Sequence, residues 1–132
     1  MSGNMNIFDV AGRAMSAQMV RLNTTASNLA NAGTDYSSKD EAFRAMRPVF
    51  RSVIDENMAT IDVEKVVQTD AEPQKRHDPT NPLADEEGYV WEAAVDETAE
   101  LIDMLETARN YQNNVQVMQT AKSLILETVR NK

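Results

Sequence analysis

EAAVDETAELIDMLETARNYQNNVQVMQTAKSLILETVRNK, residues 92–132, contains no glycine and no proline. Nothing in that run breaks a helix. Leu101, Leu105, Ala108, Val115, Met118, Lys122, Ile125 and Val129 fall along one seam of it, with Val95, Ile102, Leu124 and Leu126 beside them. Their spacing near 3.5 residues is that of a helix lying lengthwise against another helix. Asp96, Glu97, Glu100 and Asp103 in the early turns, and Arg130 with Lys132 at the end, suit the helix dipole. At 1.5 Å per residue such a helix is roughly 50–57 Å long. One apolar stripe cannot stabilise it in isolation, so it needs partners along its full length.

A second helix is predicted over residues 5–31. Phe8, Ala11, Met15, Met19, Leu22, Ala26 and Leu29 follow one another by three or four, and Ile7, Val10, Ala14 and Ala30 widen the stripe. Asn31, Ala32 and Gly33 mark its end, with Gly33 expected in the left-handed conformation that closes a helix. Being shorter, at roughly 40 Å, it leaves part of the C-terminal helix uncovered. The expected fold is mainly α with a small β element. Long N- and C-terminal helices pack as a coiled-coil-like pair around a short middle that contains a β-hairpin. The segments are residues 1–33, 34–91 and 92–132.

In the middle, Val49, Phe50, Val53 and Ile54 form one strand-like run and Ile61, Val63, Val66 and Val67 a second, joined through Asp55, Glu56 and Asn57. Residues 40–46 hold at most a short turn of helix. Pro73, Pro79 and Pro82 make the following stretch an extended connector. Asp85 to Gly88 reads as a turn, and Tyr89 with Trp91 as the anchor of the middle against a helix.

The composition excludes several functions. A net charge of −8, concentrated in the middle, is unsuited to nucleic acid. With no cysteine there is no thiolate metal site and no thiol nucleophile. No stretch approaches a membrane span, and the N-terminus lacks a basic region and carries Asp9 within its most apolar stretch, so no cleavable signal is expected. His77 beside Asp78 has no accompanying nucleophile or oxyanion donor, and catalysis is not expected. Asp55 with Glu56, and Asp85 to Glu87, lack the spaced ligands of a calcium loop and read as solvated turns. Four scattered glycines cannot build a phosphate loop, so no cofactor is expected.

Eight methionines are many for 132 residues, and Met15, Met19, Met104 and Met118 fall on or near the stripes. Flexible thioethers there suit a core, or an interface with non-identical neighbours. Among the amides Gln112, Asn113, Asn114, Gln116 and Gln119, Gln112 and Gln119 are the candidates for fixing helix register.

SAQMVRLNTTASNLANAGT, residues 16–34, resembles the N-terminal motif of the flagellar rod, hook and axial protein family. ETAELIDMLETARNYQNNVQVMQTAKSLILETV, residues 97–129, resembles its C-terminal helix, and HDPTNPLADEEGYV, residues 77–90, the connector of a short proximal-rod member. Longer members have an expanded middle that this chain lacks. The resemblance implies a structural subunit of the flagellar basal-body rod. It would be exported by the flagellar type III apparatus and polymerised across the periplasm with copies of itself and neighbouring rod proteins. It implies subunit contacts at Ser16, Gln18, Arg21, Asn23, Asn28, Leu29, Ala30 and Asn31, and at Tyr111, Asn114, Val115 and Lys122. The stripes add Phe8, Met15, Met19, Leu22, Leu101, Leu105, Met118, Ile125 and Val129, and the amide cluster adds Gln112. Where the family has Pro-Asn before the last helix, Ala93 and Ala94 stand here, which predicts an earlier helix start near Trp91. The competing reading is a cytosolic coiled-coil adaptor or export chaperone.

Overall fold

The computed structural model describes residues 5–131. Helix α1 spans Ile7–Asn31. The Asn6 side chain caps it, accepting from the N–H groups of Phe8 at 2.9 Å and Asp9 at 3.0 Å, while Asp9 accepts from the Asn6 N–H at 3.1 Å. This reciprocal box satisfies donors that a helix start otherwise leaves unpaired. The helix ends at Asn31 as expected, but Gly33 does not adopt a positive φ. The Ala32 N–H donates to Leu29 O and the Thr34 N–H to Asn31 O, each at 3.2 Å. These tight bonds occupy the last carbonyls without a left-handed residue.

The strands are β1 Asp35–Tyr36, β2 Met46–Asp55, β3 Met58–Gln68, β4 Lys75–His77 and β5 Tyr89–Glu92. β2 and β3 are the expected antiparallel hairpin, longer at both ends than the apolar runs suggested, with an irregularity after Val49. Glu56 takes φ 40 in its turn. Residues 40–46 form no helix; they lead through turns into the start of β2. The connector contributes β4, and β1, β5 and β4 make a three-stranded sheet in that order.

α2 spans Glu97–Arg130, which corrects the expected start near Trp91. Tyr89 to Glu92 are held as a strand by pairing on both sides, with β1 and β4. Ala94 follows in a bridge to residues 43–45: its N–H donates to Phe43 O at 2.7 Å and its carbonyl accepts from the Ala45 N–H at 3.1 Å. High helix propensity in two alanines loses to a backbone already committed to strand neighbours. The helix begins where Asp96 supplies a cap, accepting from the Ala99 N–H at 3.1 Å.

α1 and α2 run antiparallel, and the β2–β3 hairpin lies along α1. Thr60 donates to Val10 O at 3.1 Å, Arg13 pairs with Asp62 at 3.1 Å, and the Met5 N–H donates to Asp55 at 2.8 Å. The apolar core is small and built of small residues. Ala42, Ala45, Val90 and Ala93 are buried where the strands meet the start of α2, and Ala11 and Ala17 on α1.

Tyr89 and Trp91 do not anchor the middle against a helix. The neighbours of β5 are β1 and β4, and the Lys75 ammonium lies 5.2 Å from the Tyr89 ring centroid and 5.6 Å from that of Trp91. Strand alternation explains it: Val90 takes the buried side, turning both aromatics to the other face. His77 packs edge-on against Tyr89 at 4.9 Å. The Asp78 carboxylate is engaged by Thr80 at 3.2 Å, Asn81 at 3.3 Å and Arg76 at 3.6 Å. Asp85 accepts from the N–H groups of Tyr89 and Glu87, both at 2.9 Å, and the Tyr89 bond above all holds its carboxyl below the usual range. The turn of residues 85–89 is therefore tied by its first residue.

Gly88 in that turn has φ +88, and a Cβ there would meet His77 Cε1 and Pro79 Cβ at 3.1 Å. Gly88→Ala is expected to destabilise the fold by about 1–2 kcal/mol for the left-handed backbone alone, read as a lower midpoint in thermal unfolding followed by circular dichroism.

Candidate assembly surface

The face of α2 turned toward α1 is mostly polar. Glu100, Asp103, Thr107, Tyr111, Asn114, Met118 and Ala121 succeed one another by three or four and make the inner seam. Glu100 and Thr107 are buried. The Asn28 side chain, 0% exposed, binds the Met46 backbone as a strand neighbour would: its oxygen accepts from the Met46 N–H at 2.8 Å and its NH₂ donates to Met46 O at 3.0 Å. The same NH₂ donates to Glu100 at 3.1 Å. The other Glu100 oxygen ion-pairs with Arg47, so the buried carboxylate is neutralised from β2.

One helical turn along α2, Asp103 is clasped by both arms of Arg21 and accepts from the Thr25 hydroxyl at 3.1 Å. Farther along, Asn114 donates to Gln18 at 3.0 Å. The register between the helices is therefore written in directional polar bonds.

The large apolar residues of α2 that are exposed lie near its start, on the side away from α1, and in its later turns, around the helix. Leu101 is 51% exposed, Leu105 63% and Val129 65%, and Ile102, Val117, Leu124, Ile125 and Leu126 are also exposed. Residues 122–131 are exposed throughout, because α1 begins at Ile7 and does not reach them. The hairpin adds Phe50, Ile54, Met58, Ile61 and Val66, with Ile54 at 76%. Single exposed leucines are ordinary, but exposed apolar side chains clustered toward both ends of one helix indicate a contact surface. Two grooves flank the helix pair. One, about 460 Å³, lies between Ile7 and the stretch of α2 that includes Val117, Ala121 and Leu124. The other, about 410 Å³, is lined by Gly12, Met15, Ser16, Met19, Tyr111 and Met118, which places three methionines on an open surface.

The residues expected at subunit contacts thus fall into three groups. Asn28 is buried in the polar junction, Arg21 is held by Asp103, and Gln18 and Asn114 hold each other. Phe8, Met15, Leu22, Leu29, Asn31, Tyr111, Val115 and Met118 are half-buried. Met19, Asn23, Leu101, Leu105, Gln112, Lys122, Ile125 and Val129 are exposed. Gln112 and Gln119 are both on the surface, and the amide that crosses to α1 is Asn114. Glu100 and Asp103 read in the sequence only as complements to the helix dipole, and Thr107 and Arg47 were not singled out. The first three stand at helical spacing, and a polar stripe one position out of phase with the leucines was the available signal.

No helix among the described residues is long and apolar enough to cross a membrane. Among them there is also no cluster of three or more histidines, aspartates or glutamates placed to hold a metal ion. The molecule is a polar-locked pair of terminal helices wearing its apolar residues outside, and that defines the class of an axial assembly subunit. Comparison with known proteins identifies which one. Residues 8–35 match the family described as flagella basal body rod protein, and residues 86–130 that described as flagellar basal body rod FlgEFG protein C-terminal. The flagellar basal-body rod protein FlgC of Salmonella typhimurium is 39% identical, with 95% of each chain covered. That of Escherichia coli O6:H1 is 40% identical over the same shares, and that of Bacillus subtilis 28% identical over 92% of this chain and 93% of its own. The chain belongs to the flagellar basal-body rod protein FlgC family, a family of structural, non-enzymatic rod proteins.

Asn28→Ala strands the Met46 N–H and one acceptor of Glu100 in a buried site. It is expected to cost about 1–3 kcal/mol, seen as a lower midpoint in urea unfolding. Gln112→Ala, on the surface, should leave the midpoint within about 0.5 kcal/mol of the parent.

Proposed function

We propose that this chain is a structural subunit of the proximal rod of the bacterial flagellar basal body. It is exported by the flagellar type III apparatus and polymerises through its terminal helices with copies of itself and neighbouring rod proteins, where the rod crosses the periplasm. The observation that carries the reading is the set of exposed apolar residues of α2, Leu101, Ile102 and Leu105 near its start and Leu124, Ile125, Leu126 and Val129 in the last turns, beyond the reach of α1. A helix of 34 residues covered on its polar side by a helix of 25 leaves its apolar side to neighbours.

The terminal helices form the axial helical unit, a coiled-coil-like pair in the assembled rod, and the middle segment is carried outside it. Val129, Ile125, Leu105 and Leu101 of α2, with Met19 and Asn23 of α1, make the exposed contacts between subunits. Half-buried Phe8, Met15, Leu22, Leu29, Tyr111, Val115 and Met118 line the margins of the pair, and Lys122 lies at its rim. Gln18, Arg21, Asn28 and Asn114 act from within, by fixing the register on which those contacts depend; Asn31 and Gln112 lie at the edge.

The test replaces the native gene with variants, isolates basal bodies and follows export into the medium. Val129→Asp should fold with an unchanged circular dichroism spectrum, since the residue is already in water. It should be exported yet be missing from the rod, because an unpaired carboxylate buried in a helix seam costs roughly 3–5 kcal/mol. Leu22→Asp should also abolish rods. Retention of the parent chain in the cytosol while the export apparatus is active would instead favour the adaptor or chaperone reading.

A further inference from the structure

The outward face of α2 is not uniform along its length. Near its start Leu101, Leu105 and Arg109 stand four residues apart on one strip, all exposed. Ile102 flanks them, at 52% exposure. Near its end Val117, Thr120, Ala121 and Leu124 line the groove against Ile7, and Glu127 stands one turn beyond. The first strip projects branched side chains and the second is a depression edged by small ones. Arg109 and Glu127 are both exposed, and among the described residues neither makes an ion pair within the chain.

The two strips correspond under one displacement. Moving along the helix by 19 residues takes Leu101 to Thr120, Ile102 to Ala121 and Leu105 to Leu124, and brings Arg109 beside Glu127. At 1.5 Å per residue the displacement is about 28 Å. At about 100° per residue the strips lie roughly 100° apart around the helix axis. One molecule can therefore use both at once. We propose that a second copy of this chain docks parallel to the first, displaced by about 28 Å along α2, with its Leu101–Ile102–Leu105 strip in the groove beside Leu124 and its Arg109 paired with Glu127.

This inference rests on the assembly reading and names the partner surface within it. The occupant follows from complementarity in shape, apolarity and charge between two exposed surfaces of the same chain. Such a contact joins unlike patches, so it propagates in one direction instead of closing as a two-fold dimer.

The chain has no cysteine, so an introduced pair reports without background. Leu105→Cys, Leu124→Cys and the double variant are expressed in place of the native copy, and isolated basal bodies are oxidised and separated on non-reducing gels. Expected are disulfide-linked dimers of this chain from the double variant, and none above background from either single variant. Dimers from Leu105→Cys alone would overturn the parallel displacement, and links only to a different rod protein would overturn the choice of occupant. Complete rods containing the double variant without links would overturn the contact while leaving the assembly reading intact. Absence of the parent chain from basal bodies would overturn that reading itself.

Charge exchange gives an independent readout should the cysteine chains not assemble. Arg109→Glu and Glu127→Arg should each lower swimming and rod yield at least severalfold, and the two together should restore them. Loss without restoration, or no loss in either single variant, would overturn the pairing.

Discussion

The carboxamide of Asn28 sits where three parts of the chain meet, and its bonds tie the hairpin and α2 to α1. It binds both backbone groups of Met46, which fixes where the hairpin leaves the helix pair, and it binds Glu100, which fixes where α2 begins its run along α1. Glu100 is fully buried and tolerable there because Asn28 and Arg47 engage both of its oxygens. Asp103 with Arg21 and Thr25 extends the arrangement one turn on. Apolar contacts can slide past one another at small cost, whereas a two-way amide bond and a two-armed guanidinium clasp lose most of their energy on a shift of one residue.

Putting the polar residues inside has an energetic consequence. Each neutral hydrogen bond contributes only about 1 kcal/mol net, and partly exposed ion pairs such as Arg21 with Asp103 contribute little more. Among the described residues the buried apolar side chains are mainly alanines, with Val90 and Pro73 the larger ones. The isolated subunit is therefore specified more sharply than it is stabilised. Its leucines and isoleucines remain available, and binding that buries them adds stability through the same equilibrium that adds the subunit to an assembly. A net charge of −8 disperses free subunits during the interval when those side chains face water.

Much of this was legible from spacing and composition. Both terminal helices, the hairpin, the proline-rich connector and the family motifs follow from period, turn residues and direct resemblance. What was not legible came from competition between local and distant preferences. Ala93 and Ala94 read as helix, but Tyr89 to Glu92 are claimed by two strands and Ala94 by residues 43–45, partners far away in sequence. Tyr89 and Trp91 read as anchors because aromatic rings usually are, yet alternation gave the buried side to Val90. For α2, the 3.5-residue period was read correctly, but periodicity reports that a face will be covered without saying by what. Leu101 and Leu105 of the expected seam face away from α1, which takes Glu100, Asp103, Thr107 and Asn114, while Ala108, Val115 and Met118 of the same seam are half-buried.

That exchange of faces has a reason in how a subunit must live twice. A monomer that closed its leucine seam on its own N-terminal helix would be more stable alone and would have to reopen that seam in order to join a larger structure. Using amides, hydroxyls and paired charges within the subunit avoids the conflict, since polar groups matched to one another have little affinity for a neighbour's leucines. One side of α2 recognises its own chain by directional bonds, and the apolar residues outside that seam remain exposed. Glu100 marks the difference most clearly. An apolar residue there would leave Arg47 without its partner and the Asn28 NH₂ without one acceptor, so the seam is held to polar chemistry.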